Sequence, residues 1–207
     1  MRIGVVTDIH DAAEELARAL AVLRTERVDA VVCLGDATDQ FGPRNRAAEV
    51  ATLFRDAGAK LVWGNHDHGL CHDSDPVVKA RYDADTLATF ASASPRIELA
   101  GCHFSHVEPW IDAHDPAALW HFGGLPRTDE MLGKTFASFP HRAAFVGHHH
   151  CWFATTPTGR VSWDGSAPLR LAAEDRYLIV VAPIFQRSFA VVDTDRGVVI
   201  PHTLPDC

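Results

Sequence analysis

Residues 61 to 69 read LVWGNHDHG: an apolar run passes through a glycine and then presents an amide, an imidazole, a carboxylate and a second imidazole. Burying such groups bare costs about 2–7 kcal/mol each, so they either face water or bind something outside the chain. Four other apolar runs end in the same way, in Thr7-Asp8-Ile9-His10, Gly35-Asp36-Ala37-Thr38-Asp39, His103-Phe104-Ser105-His106 and Gly147-His148-His149-His150. From these ends Asp8, His10, Asp36, Asn65, His106, His148 and His150 offer seven oxygen and imidazole donors and no thiolate. A single zinc ion takes three or four ligands. Seven donors suit two divalent cations sharing a bridging carboxylate, which acidify a solvent molecule between them and neutralise phosphoryl oxygens.

The elements that bring these groups together are legible in the first third. Ile3 to Thr7, Val28 to Leu34 and Ala59 to Trp63 read as strands, and Ala12 to Arg24 and Arg46 to Ala57 as helices, the second stopped by Gly58. Strand, helix, strand, helix, strand predicts a parallel α/β sheet, whose carboxyl strand ends share one edge. Asp-x-His and His-x-His on strands would place both side chains on one face. Further on, Pro76 to Ala91, Asp115 to Phe122 and Thr128 to Phe139 predict helices, and a hairpin is expected around Ala100-Gly101. From Ala143 the pattern becomes strand after strand, which predicts a β-meander.

Bulk properties narrow the class. With 207 residues, 47% of them hydrophobic and 22% charged, one globular domain over 1–207 with no separate cap domain is expected. The longest apolar stretch, Tyr177 to Phe185, is about half of what a bilayer crossing needs, so no membrane partner is expected and a cytoplasmic location is. Net charge is −8 with no run of Lys or Arg, which argues against duplex nucleic acid as a partner. Five cysteines without CxxC spacing read as reduced thiols.

The order DxH, GDxxD, GNH(D/E), a lone His and GHxH, from residue 8 to residue 150, resembles the calcineurin-like metallophosphoesterase superfamily in its small prokaryotic form. The resemblance implies an α/β fold, a four-layer α/β/β/α sandwich of two mixed sheets flanked by helices. It implies one divalent metal ion on Asp8, His10, Asp36 and His150, and a second on Asp36, Asn65, His106 and His148. Manganese is the leading expectation, with iron, zinc or nickel as alternatives. His66 resembles the general acid of the family and Asp39 the carboxylate that orients it. For the lone histidine His103 competes with His106; His106 is preferred because it closes its apolar stretch and precedes Val107-Glu108-Pro109, like the family's His-x-x-Pro turn.

Other polar residues receive plainer readings. His72, His114, His121, His141 and His202 are expected at the surface or in the core, and His68 and His149 on the rim of the site. Asp11 is expected to cap the first helix and Asp67 to form a turn; Cys71 and Cys151 show no mark of a nucleophile. Trp110, Trp120, Trp152 and Phe153 lie near the motifs and are read as core residues, with stacking on a substrate ring as the rarer alternative.

Three departures from the family pattern shape the functional expectation. GDATDQFG lacks the arginine of the protein serine/threonine phosphatases, and GNHD stands where they have GNHE, which disfavours protein phosphatase activity. In place of the Asn-Pro-Gly-Ser loop of small prokaryotic members stands the segment 181–187, whose Arg187 is a candidate substrate contact. Without a cap domain, the pocket walls must come from residues 68 to 142. The expected function is a hydrolase that opens a small phosphomonoester or phosphodiester, nucleotides included, by attack of a metal-bridging hydroxide. The rival is a non-catalytic scaffold of the same fold that binds a protein partner. A scaffold would be expected to have lost His66 or several ligands, and here all are present.

Overall fold

Alternation along the first strand sets the architecture. In β1 (Arg2–Val6) the side chains of Ile3 and Val5 enter one core and Val6 enters another. Both faces are therefore buried, as period-two alternation in a covered sheet requires. The computed structural model describes residues 1–40, 45–72, 76–121 and 123–206. Its strands form two six-stranded sheets, ordered β3-β2-β1-β11-β12-β9 and β4-β5-β6-β10-β7-β8.

In the first sheet β1, β2 (Ala30–Cys33) and β3 (Lys60–Leu61) are parallel, with Val6 opposite Cys33 and Cys33 opposite Leu61. Helices α1 (Ala13–Thr25) and α2 (Ala47–Ala57) cover its outer face through Leu16, Leu20, Leu23, Val50 and Phe54. Gly58 ends α2 in the left-handed conformation that a side chain disfavours. In the second sheet the hairpin β4 (Arg96–Leu99) and β5 (Cys102–Ser105) turns through Ala100 and Gly101, both at positive φ. Strand β5 runs parallel to β6 (Ala143–Val146), and β6 parallel to β10 (Tyr177–Val180). Helix α7 (Asp129–Ala137), capped by the Thr128 hydroxyl, lays Leu132 and Phe136 on Ala144, Val146, Leu178 and Val180. Between the sheets Ile3, Val5, Val32 and Leu34 meet Phe104, Phe145 and Ile179. The order is helices, sheet, sheet, helix, the expected sandwich.

Several expectations are corrected. The carboxyl-terminal strands are not a meander. Strands β6, β7 (Phe153–Thr156), β8 (Gly159–Arg160) and β10 belong to the second sheet, while β9 (Leu169–Arg170), β11 (Ser188–Asp193) and β12 (Val198–Thr203) belong to the first. The reason is visible in β11: Phe189 and Val191 point to the helices, and Ala190 and Val192 point between the sheets. A strand apolar on both faces must sit inside a sheet, and β11 pairs antiparallel with β1, Ile3 opposite Val192. The helix expected over Pro76 to Ala91 is two, α4 (Pro76–Lys79) and α5 (Ala84–Phe90), because the Asp83 carboxylate starts a new helix by accepting from Thr86 N at 2.8 Å. Strand β3 is short because Val62 bridges to Ser94 instead and Trp63 turns aside, its indole donating to Ala113 O. Helices α3 (His68–Cys71) and α6 (Pro116–Leu119) are single turns; the expected end of α6 at Phe122 lies outside the described residues. Among the described residues, no helix is long and apolar enough to cross a membrane.

Candidate metal centre

Every expected ligand lies at or just beyond a strand end on the shared edge, and the turns, rather than the strands, aim them. Strands β1, β2 and β6 stop at Val6, Cys33 and Val146, so the expectation that Asp8 with His10, and His148 with His150, share a strand face is corrected. Asp8, His10, Asp36, His148 and His150 all have positive φ, between 46° and 63°. A non-glycine residue there costs on the order of 1–3 kcal/mol and persists only where its surroundings hold it. Here they do. Asp8 N donates to Gly35 O at 3.0 Å, Ile9 N and His10 N donate to Asp36 O at 2.8 and 3.0 Å, and Gly147 N donates to His106 O at 3.0 Å.

Two glycines permit the close approach of these turns. A Cβ on Gly64 would lie 2.2 Å from Asp36 Oδ1 and 2.6 Å from Asp36 N, and one on Gly147 would lie 2.0 Å from Thr7 Oγ1. Gly64→Ala is therefore expected to destabilise the fold by about 1–3 kcal/mol through overpacking and to lower bound metal. Thermal unfolding and elemental analysis check both.

The donor atoms fall into two sets that share one oxygen. Asp36 Oδ1 accepts from His66 N at 2.8 Å, while Asp36 Oδ2 lies 3.7 Å from His10 Nε2 and 3.4 Å from His106 Nε2. On the first side, Asp8 Oδ2 accepts from the Thr7 hydroxyl and from His148 N, and Asp8 Oδ1 faces His150 Nε2 at 3.2 Å and His10 Nε2 at 4.0 Å. His10 Nε2 is buried and has no hydrogen-bond partner among the described residues. On the second side, His106 Nδ1 donates to Leu34 O at 2.8 Å and His148 Nε2 to His121 O at 2.9 Å. Their other nitrogens both point at Asn65 Oδ1, at 2.9 and 3.0 Å.

These contacts test whether the residues suit metal ions. A carbonyl anchor on Nε2 fixes the tautomer of neutral His148 and leaves a lone pair on Nδ1. The anchor on His106 Nδ1 would do the same for its Nε2 once a metal ion replaces the proton there, the usual outer support of a metal-bound imidazole. The lone pair of His148 Nδ1 then meets the lone pairs of Asn65 Oδ1, a repulsive arrangement unless a cation sits among them. Burial and the neighbouring His106 hold His148 neutral, its pKa lowered to about 4. Burial also pulls His106 down, but Asp36 outweighs it and lifts His106 to about 9. Burial raises Asp36 in turn and is outweighed by His106, which holds the carboxylate ionised. A positive charge beside Asp36 is thus favoured, and either a proton on His106 or a metal ion can supply it. The donors fit two divalent cations.

His66 and Asp39 lie beside the first donor set, close enough to His10 to form a group with it. His66 Nδ1 lies 3.0 Å from Asp39 Oδ1, which places the proton of Nδ1 on the carboxylate side and leaves Nε2 as the nitrogen for a reacting group. The competitor His103 lies elsewhere, bonded to Ser105 Oγ at 3.1 Å and grouped with Glu98 and His141 near the edge of the second sheet. Burial lowers it to about 4.

The structure also shows supports that the sequence reading missed or misread. The N-cap position of α1 is Ala12 rather than Asp11, which takes positive φ itself and accepts from Asp39 N at 3.4 Å. Buried Asp67 does more than form a turn: its two oxygens accept from Gly64 N at 2.6 Å and Ala37 N at 2.7 Å, tying the second motif to the third. Burial and then Asp36 raise its pKa to about 7. His149 bonds buried Glu108 at 2.9 Å and joins the lone-histidine segment to the GHxH segment. The Arg187 guanidinium is engaged by Asp206. Cys71 and Cys151 are thiols raised above their usual range by burial. The signal for Asp67 and Glu108 was a carboxylate directly beside a motif; nothing local told a buried staple from a surface turn.

The match to known proteins decides the family: residues 1–180 match the calcineurin-like phosphoesterase superfamily domain. The chain belongs to the calcineurin-like phosphoesterase superfamily. No curated protein matches it. Among solved structures, a metallophosphoesterase from Sphaerobacter thermophilus superposes with a TM-score of 0.74 at 23% identity, covering 99% of this chain and 88% of that one. An archaeal phosphodiesterase gives 0.55 at 14% identity over 99% and 100%, and Yfce, a phosphoesterase from E. coli, gives 0.50 at 15% over 99% and 100%. At these identities the likeness establishes a shared fold. In this calcineurin-like phosphoesterase, the facing His and Asn atoms lie on residues that the sequence motifs single out.

Proposed function

We propose that this chain is a dinuclear metal-dependent phosphoesterase acting on a small phosphomonoester or phosphodiester. Asp8, His10, Asp36 and His150 would hold one divalent ion and Asp36, Asn65, His106 and His148 the other. The observation that carries this reading is the position of Asp36 Oδ2, shared between His10 Nε2 at 3.7 Å and His106 Nε2 at 3.4 Å. When bound, such a pair acidifies water and offsets the negative charge of the phosphoryl oxygens.

The chain's own residues supply the rest. His66 gives the Nε2 proton to the ester oxygen as its bond to phosphorus breaks, so the leaving group departs as an alcohol. Asp39 holds the other ring nitrogen and stabilises the ring while it is charged. The backbone N–H of His66 holds Asp36 Oδ1, so the shared carboxylate cannot rotate away.

The test is elemental analysis joined to a substrate panel. We expect about two divalent ions per chain, loss of hydrolysis on chelation, and recovery with manganese before iron, zinc or nickel. Hydrolysis that survives full demetallation would overturn the proposal.

A further inference from the structure

Rings at the site form a continuous row. Trp120 lies 4.9 Å from His66 between centroids, His66 lies 4.7 Å from His10, and Phe185 lies 5.5 Å from His10 and 5.0 Å from His150. Among the described residues three large apolar side chains are exposed: Val77 in α4, and the two that end this row, Trp120 at 38% and Phe185 at 39%. Single exposed apolar residues are ordinary. Two aromatic ones at opposite ends of the candidate catalytic row are not explained by chance exposure.

The fold shows how it treats tryptophans it has no such use for. Trp63 and Trp163 are buried, with indole N–H groups donating to Ala113 O and Ala167 O. Phe153 is buried in the core, Trp152 packs on Trp163, and the Trp110 ring is covered by the Lys134 ammonium at 3.5 Å. Trp120 and Phe185 are instead tied to the metal-ligand segments. Trp120 precedes His121, whose carbonyl holds His148 Nε2 at 2.9 Å. Phe185 N donates to Asp8 O at 3.4 Å and Ile184 N to Thr7 O at 2.9 Å.

We propose that Trp120 and Phe185 form an aromatic subsite that selects phosphate esters carrying a flat aromatic ring, a nucleobase or an aryl group, on the ester oxygen. The inference rests on the phosphoesterase reading above. The leaving oxygen must come within reach of His66 to take its proton, and the substituent on that oxygen then extends beside the adjoining Trp120 ring. A planar π system stacks there regardless of its hydrogen-bonding pattern. Phe185 bounds the site on the His10 and His150 side.

Adenosine 5′-monophosphate and ribose 5-phosphate isolate the ring, because both carry the same phosphate on the same kind of primary alcohol. On the metal-loaded protein we expect kcat/KM for the nucleotide to exceed that for the sugar phosphate by about tenfold or more, chiefly through KM. Trp120→Ala should bring the ratio close to one, Trp120→Phe should restore most of it, and Phe185→Ala should lower it in part. A ratio near one in the wild type, or an unchanged ratio in Trp120→Ala, overturns the subsite. Calorimetry with benzylphosphonate and methylphosphonate reads the same preference without turnover, with about tenfold tighter binding of the benzyl compound expected and lost in Trp120→Ala. Equal affinities, or no binding of either, overturn it as well. Hydrolysis of neither ester would count against the phosphoesterase reading, while the phosphonate result still decides the subsite.

Discussion

Asp36→Asn is expected to strip both metal positions at once and to lower turnover on the order of 10³-fold or more. The substitution is nearly isosteric. Its retained oxygen still accepts from His66 N, which in the native chain reaches Asp36 Oδ1 at 2.8 Å. What it loses is the charge on Oδ2, the atom facing His10 Nε2 and His106 Nε2. Every other expected ligand serves one ion, so Asp8→Asn or Asn65→Ala should leave the opposite position partly filled. Metal content by elemental analysis separates these outcomes: Asp36→Asn should fall well below one ion per chain, and the single-side variants should stay near one. The buried His106 should respond too. Asp36 is the foremost of the carboxylates that lift it to about 9 against burial, ahead of Asp8 and Asp67. Once Asp36 is neutral, burial weighs more heavily against a proton on His106. The fold should survive, because the substitution is nearly isosteric and keeps the bond from His66 N. If Asp36→Asn keeps about two ions, the shared-carboxylate assignment is wrong.

The legibility of this chain divides along a physical line. The candidate donors were legible as a set because metal chemistry favours particular side chains, and Asp8, His10, Asp36, Asn65, His106, His148 and His150 recur wherever an apolar run stops. The parallel start was readable because α1 and α2 are amphipathic and their strands are continuous apolar runs. Much of what failed was decided by partners distant in sequence. Nothing local in Ser188–Asp193 says that it inserts beside β1, and only the burial of both its faces in the assembled sheet makes the choice. The aim of the ligands was misread for a related reason. Strand periodicity was applied to Asp8 with His10 and to His148 with His150, yet all four lie in left-handed turns past the strand ends. Such a conformation is costly locally and arises only because backbone bonds such as His10 N to Asp36 O, at 3.0 Å, span the motifs. Sequence singles out the candidate donors; long-range hydrogen bonds orient them.

His66→Asn should produce the opposite phenotype to Asp36→Asn: full metal content with turnover on an alkyl ester reduced about 10²–10⁴-fold. The His66 ring bonds Asp39 and packs edge-on against His10, and its backbone N–H donates to Asp36 Oδ1. Replacing the ring therefore leaves both ligand sets in place. It removes the group proposed to protonate the departing oxygen. The loss must then depend on how badly that oxygen needs a proton. An alkoxide, far more basic than water can tolerate near neutrality, should suffer the whole decrease, whereas a nitrophenolate leaving group should lose much less. Asp39→Asn is expected to follow the same pattern more weakly, because His66 keeps its place but loses the carboxylate that stabilises its charged form. The comparison is decisive when both esters are run on the same metal-loaded preparation. An equal decrease for the two leaving groups would mean that His66 binds the phosphate rather than donating to the ester oxygen, and unchanged alkyl-ester turnover would remove it from the chemistry altogether.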